Sequence, residues 1–324
     1  MKIHGATDGC RGGETVLERR DRYLSDFEAK KWIIEIGRRM YAKNFVAAND
    51  GNISVRTGPN AVWATPTGVS KGFMTPDMLV KLDLDGKVLS GKNKPSSEIK
   101  MHLRVYKENP EVRAVVHAHP VVATSYAIAG ISLERALSSE AVVLLGRVPV
   151  APYATPGTEE VPESIAPYCR DYNAVLLANH GALTWGRDPL EAYFRMESLE
   201  HYARMSLYTS EVLKKVNELS CSQVSDLLEI REKLGIRGGG TPACRPDELP
   251  ESAAVSAAAV RADVPQAGAA GVVRTGVSQA GAVRTDVPQS GAVRTETARA
   301  EAEKRAVIEE IIAKVTEEVL RRLS

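Results

Sequence analysis

Every aromatic residue of this 324-residue chain lies between Tyr23 and Tyr208, and that confinement limits where a core can form. Aromatic side chains carry the largest apolar area a core can bury. Residues 238–296, by contrast, are rich in Gly, Ala, Pro, Ser and Thr. Such a stretch cannot bury enough apolar surface to offset the entropy of ordering and reads as a disordered, low-complexity linker. Within it "AGVVRTGVSQ", "AGAVRTDVPQ" and "SGAVRTETAR" follow one another at a ten-residue period, too short for a helical solenoid unit and without core positions. The globular part is therefore expected at residues 23–237, after an N-terminal extension of residues 1–22.

Residues 297–324 form a different object. Val307, Ile308, Ile311, Ile312, Val315, Val319 and Leu323 fall within an arc of about 160° at the helical period. Glu309, Glu310, Lys314 and Glu317 lie outside that arc. The pattern predicts an amphipathic helix of about seven turns. Hung from a flexible tether, it has an apolar face suited to a partner surface or to a short coiled coil.

Charge excludes several function classes. Lys+Arg 42 against Asp+Glu 41 leaves a formal charge of +1, so there is no electrostatic footprint for nucleic acid or an anionic membrane. A small-molecule substrate fits better. Cys10, Cys169, Cys221 and Cys244 contain no CxxC pair, a usage that suggests reduced thiols rather than a disulfide framework or a cysteine zinc site. No apolar leader or run of membrane-spanning length is present, and a cytoplasmic location is expected.

The chemistry sits in five short islands. In "VVHAHP", His117 and His119 follow a β-branched run. Alternation along a strand turns residues i and i+2 to one face, so the two imidazoles converge. Alone, the pair is better described as two polar residues at a strand end. "AVLLANHG" reads as a buried strand ending in His180, and three histidines at strand ends make a His₃ set with an open coordination position, as in catalytic zinc sites. "NDGNIS" brings Gly51 and Asn52, "TPTGVSKG" brings Thr67 and Gly68, and "KPSSEIKMH" brings Ser96 and Ser97 at a helix start. Small-residue turns and helix starts offer unpaired N–H groups and hydroxyls to a phosphate, although each is also an ordinary cap or turn. Glu98 is either a first-turn acid or, beside a metal, a proton shuttle. His102 and His201, each four residues after a glutamate, are expected to form helix-face pairs.

Taken in order, "GNIS", "TPTG", "KPSSE", "VVHAHP", "VPVAPYATPGT" and "LLANHGALTWG" closely resemble the class II aldolase/adducin family over residues 25–237. The resemblance implies an α/β three-layer α/β/α sandwich with a central, mostly antiparallel sheet, and a homotetramer with active sites between subunits. It implies Zn²⁺ held by His117, His119 and His180, with Glu98 as catalytic acid/base. The substrate phosphate would lie among Gly51, Asn52, Thr67, Gly68, Ser96 and Ser97. The implied reaction is retro-aldol cleavage of L-fuculose 1-phosphate, or also L-rhamnulose 1-phosphate, to dihydroxyacetone phosphate and lactaldehyde. Two departures leave alternatives open. The segment "ALSSEAVVLLG" carries Glu140 but none of the active-site tyrosine of bacterial fuculose-phosphate aldolases, and Leu234 stands near the domain end where they have a second. Glu140 corresponds roughly to an acid/base glutamate of the family's dehydratases, so an epimerase, a dehydratase or an aldolase for another ketose phosphate remains open, as does an adducin-like binding protein. The linker and terminal helix resemble the encapsulation peptides that carry enzymes into bacterial microcompartments.

Overall fold

The computed structural model describes residues 23–247. The N-terminal extension 1–22, the linker beyond residue 247 and the terminal helix 297–324 lie outside the described residues. Helix α1 (Asp26–Ala42) starts at a capping box: the Glu28 N–H donates to Ser25 Oγ at 3.3 Å, and the Ser25 N–H donates to the Glu28 carboxylate at 2.9 Å. These bonds satisfy amides that the first helical turn leaves open. Ala29, Ile33, Ile36 and Met40 repeat at helical spacing and are fully buried, which makes this face the floor of one layer.

Eight strands follow: β1 (Asn52–Gly58), β2 (Ala61–Ala64), β3 (Val80–Leu82), β4 (Val88–Ser90), β5 (Ala114–Ala118), β6 (Val150–Ala151), β7 (Ala174–Leu177) and β8 (Gly181–Gly186). They form one sheet in the order β4-β3-β2-β1-β5-β8-β7-β6. All neighbours are antiparallel except β6 and β7. Between them lie α2 (Ile99–Glu108), α3 (Val121–Ala129), α4 (Ser139–Leu144) and α5 (Glu160–Ile165), and after β8 come α6 (Pro189–Leu207) and α7 (Cys221–Lys233).

Strand alternation sorts the core into two layers. Ala114, Val116, Ala118, Ala174, Leu176 and Ala182 pack with α1, α3 and α6. Their neighbours Val115, Val175, Leu177, Leu183 and Trp185 pack with α2 and α5 on the other face. Both faces of β5, β7 and β8 are thus covered, so these strands read as continuous apolar runs. The expected α/β/α sandwich with a mostly antiparallel sheet is the observed architecture.

The end of the packed chain differs from expectation. Residues 238–247, assigned from composition to the linker, lie on the domain. The Ala136 N–H donates to Ala243 O at 2.8 Å, and the Ala243 N–H donates to Glu134 O at 2.7 Å. The buried Arg231 guanidinium donates to the carbonyls of Val143, Gly238 and Gly240 at 2.9–3.1 Å. A Gly-rich stretch can be held by backbone and arginine hydrogen bonds alone, and composition does not register these. The thiols also require correction: Cys221 and Cys244 form a disulfide. Their separation of 23 residues fits no local motif; they meet because the strap returns to the start of α7. Cys169 is free and buried, and burial pushes its thiol up to about 12.

A bridge closing a loop of this length contributes about 2–4 kcal/mol. Cys221→Ser is therefore expected to lower the melting temperature by about 5–10 °C in non-reducing buffer. Dithiothreitol should reproduce the shift in the unaltered protein. An unchanged melting temperature would show that the hydrogen bonds alone hold the strap.

Candidate active site

The site forms where the ends of β1, β5 and β8 meet. His117 is the fourth residue of β5 and pairs directly with Asn52 on β1 and Leu183 on β8. It shares the α2 face with Val115, and His119 follows two residues later, just past the strand. His180 occupies the tight turn between β7 and β8, behind Asn179 at φ 58°, a left-handed conformation that asparagine tolerates. Gly181 makes this meeting possible. A Cβ there would lie 2.5 Å from His119 Cδ2 and 2.7 Å from Ala118 O.

The three rings stand with centroids 4.7–5.1 Å apart, and one nitrogen of each lies within 4.8 Å of the others. His117 Nδ1 is 2.9 Å from Ala182 O. A carbonyl only accepts, so Nδ1 carries the proton and Nε2 presents a lone pair to the cluster. His119 Nε2 lies 3.0 Å from it. Burial holds the His117 and His119 imidazoles below their ordinary range, and the neighbouring His180 adds to this at both. Neutral rings with lone pairs converging on one point are what a divalent cation requires. The donor set fits a metal.

Glu98 closes the cluster. Its Oε1 is 2.9 Å from His180 Nε2 and its Oε2 is 3.5 Å from His117 Nε2. The Asn52 side-chain amide donates to Oε2 at 2.6 Å and to Ser96 Oγ at 3.3 Å. Burial alone would push the Glu98 carboxyl up. The facing His117 and His180 rings, together with the His180 and Asn52 hydrogen bonds, outweigh it and hold Glu98 well below the usual carboxylate range. The ionised form is the favoured one.

A cavity of about 230 Å³ opens from this cluster. Gly51, Asn52, Thr67, Gly68, Ser96 and Ser97 all line it, with Glu98, His119 and His180. Among the described residues Asn52 Oδ1 is buried without a hydrogen-bond partner, an acceptor that a ligand hydroxyl could satisfy. Glu140 is not brought here. It is exposed in the first turn of α4, where the Ser138 hydroxyl donates to it at 3.0 Å.

Three participants escaped the sequence reading. Asp50 Oδ2 lies 3.5 Å from His119 Nδ1, and Lys71 lines the cavity. His102 is not paired with Glu98 on a helix face; it is fully buried. Its Nδ1 is 2.7 Å from Ser54 Oγ, and the Tyr106 hydroxyl donates to Ser54 O at 3.0 Å. Burial takes the His102 pKa down to about 3, so the ring is neutral. The i+4 spacing suggested a surface pair, but α2 turns this face onto the sheet.

Comparison with known proteins agrees with this geometry. The model of the Class II Aldolase and Adducin N-terminal domain matches residues 31–207. The 3-oxo-tetronate 4-phosphate decarboxylase of Haemophilus influenzae is 34% identical over 208 residues, covering 63% of this chain and 98% of its own. The L-fuculose phosphate aldolase of Methanocaldococcus jannaschii is 33% identical over 185 residues, covering 57% and 99%. Among solved structures, the L-fuculose-1-phosphate aldolase of Thermus thermophilus superposes with a TM-score of 0.51 at 34% identity, covering 56% of this chain and 94% of that one.

Because Gly181 leaves room for two rings, Gly181→Ala should displace His119 and weaken zinc binding by about tenfold or more, with the fold retained. A zinc titration against a chromophoric chelator, with circular dichroism as the control for folding, checks this.

Proposed function

Because the chain belongs to the class II aldolase and adducin family, with lyases among its relatives, we propose that it is a zinc-dependent aldolase cleaving L-fuculose 1-phosphate, and also L-rhamnulose 1-phosphate, to dihydroxyacetone phosphate and lactaldehyde. The observation that carries this reading is the Glu98 carboxylate packed against three converging imidazoles at the mouth of a hydroxyl- and amide-lined cavity. His117, His119 and His180 would hold the ion. When bound, a divalent cation supplies Lewis-acid polarisation of the substrate carbonyl and its adjacent hydroxyl.

The chain's own groups do the rest. Ser96, Ser97, Thr67 and the Gly51–Asn52 and Gly68 backbone would bind the phosphate, fixing the three-carbon fragment that is common to both ketose phosphates. Breaking the bond between the carbon adjacent to the carbonyl and the hydroxyl-bearing carbon beyond it leaves the electron pair on that fragment. Glu98, held by Asn52 and beside His180, would take up the proton that the substrate hydroxyl loses as it becomes the aldehyde and deliver it to the carbon that receives the pair. Asn52 thus orients the base, while the Ala182 carbonyl fixes the His117 tautomer.

A second reading is favoured by the decarboxylase relatives. Loss of CO₂ from 3-oxo-tetronate 4-phosphate leaves the same fragment, dihydroxyacetone phosphate less a proton, so one cradle and one base serve both reactions. They differ only in what leaves. Dehydration or epimerisation would call on a further acid/base, for which Glu140 is the proposed candidate. In one chain Glu140 is exposed, and a homotetramer would be needed to bring it to a neighbour's cavity. Exposed Val121, Ile128 and Ile131 on and after α3, at 53–66% relative exposure, supply apolar surface for such an assembly. An adducin-like binding role has no use for an ionised carboxylate buried beside an open His₃ set.

We place the enzyme in the cytoplasm, inside a bacterial microcompartment, on the strength of the residue 297–324 pattern, since confinement would pass a reactive aldehyde to the next enzyme. Removing residues 297–324 should leave cleavage unchanged and abolish co-purification with shell proteins; retained co-purification would refute the targeting role.

The activity is tested by offering zinc-loaded protein L-fuculose 1-phosphate, L-rhamnulose 1-phosphate and 3-oxo-tetronate 4-phosphate, and measuring dihydroxyacetone phosphate. Release from either ketose phosphate, lost on chelation and reduced about 10²–10⁴-fold in Glu98→Gln at unchanged zinc content, is expected. Release from the oxo-acid alone would transfer the assignment to the decarboxylase reading.

A further inference from the structure

Lys71 is only 1% exposed, yet its ammonium has no carboxylate within ion-pair distance among the described residues. Buried charges are ordinarily paired, because desolvating an ammonium is costly. Two of its three N–H groups are accounted for: Nζ donates to Asn49 O and to Val69 O, each at 2.7 Å. Those carbonyls belong to different loops, the one entering β1 and the one after Thr67–Gly68. The third N–H remains, and Lys71 lines the cavity that those loops enclose.

The position is built rather than incidental. Lys71 opens the short 3₁₀ turn Lys71–Phe73, which presses against α1 at Gly37. A Cβ at Gly37 would lie 2.6 Å from Lys71 O and 2.5 Å from Met74 Cε, so the turn seats only against glycine. The lysine stem is thereby fixed, with its head between the two loops. Asp50 and Glu98 act on the ammonium from a distance and favour its charge, but burial outweighs them and brings the pKa down to about 8. At neutral pH the cavity therefore contains a cation with one unused donor.

We propose that Lys71 supplies the cationic contact for a dianionic phosphate ester in this cavity and so makes the site select phosphorylated over unphosphorylated ketoses. The proposal rests on the sugar-phosphate reading given above but not on which sugar is cleaved. Hydroxyls and amides alone bind an oxyanion without discriminating its charge strongly. A buried ammonium adds a charge-assisted hydrogen bond where screening is weak. Its two carbonyl bonds also tie the Gly51 and Gly68 loops at a fixed spacing, so the donors on both loops are arranged before the ligand arrives.

Sulfate is the suitable probe, since it is a dianion whose charge does not change between pH 7 and 9. Calorimetric titration of the zinc-loaded protein should show sulfate affinity falling about tenfold from pH 7 to pH 9 as Lys71 loses its proton. The other titratable groups facing the cavity are Asp50, Glu98, His119 and His180; Glu98 is held well below this interval. Lys71→Met should bind sulfate at least about tenfold more weakly at pH 7 and lose the pH slope, and Lys71→Arg should restore affinity without restoring the slope. Zinc content and melting temperature report whether each variant folds. A flat affinity in the unaltered protein, or a slope that survives in Lys71→Met, would overturn the proposal even if that variant were unstable. Should no ketose phosphate be cleaved while sulfate behaves as described, the aldolase reading falls and the role of Lys71 stands.

Discussion

The site depends on one partly buried carboxylate. Glu98 contacts His180 and His117 and is held by Asn52, while three imidazoles crowd within 4.8 Å of each other. Burial favours the neutral form of both partners, yet the geometry favours an ionised carboxylate facing neutral rings. A divalent cation among the rings would reconcile the two tendencies, because it needs neutral imidazole and offers positive charge to a nearby carboxylate. Removing any one of these groups would leave the others buried without compensation.

The sheet brings these groups together. Register alone places Asn52 opposite His117, and the β7–β8 turn delivers His180 to the same end. Apolar strands packed on both faces tolerate little slip, since a shift of one residue would turn His117 toward α1, α3 and α6 and Val116 toward Glu98. The two layers therefore do more than stabilise the fold; they fix the direction of the first ligand. Glycines at 181 and 37 then admit the close approaches that the rings and Lys71 require.

Much of this was legible in the chain because it is written in short-range patterns. Strand alternation revealed the convergence of His117 and His119, and apolar runs ending at histidines revealed β5 and β7. Family resemblance joined the islands into one cavity. What escaped was set by tertiary contact. His102 has the spacing of a surface pair, but α2 buries that face against Ser54. Cys221 and Cys244 lie 23 residues apart with nothing local to couple them. Residues 238–247 resemble a linker in composition and are held through backbone groups, which composition does not register. Lys71 had the appearance of an ordinary loop lysine, and only its 1% exposure separates it from one.

The central claim is that His117, His119 and His180 form one metal-binding centre under Glu98. Crystals grown with zinc and measured on both sides of the zinc absorption edge test it most directly. The account predicts one anomalous peak per chain at about 2.0–2.1 Å from a nitrogen of each of the three rings. A peak elsewhere, or density at the triad explained by Glu98 hydrogen bonds with no anomalous signal in zinc-saturated crystals, would contradict it.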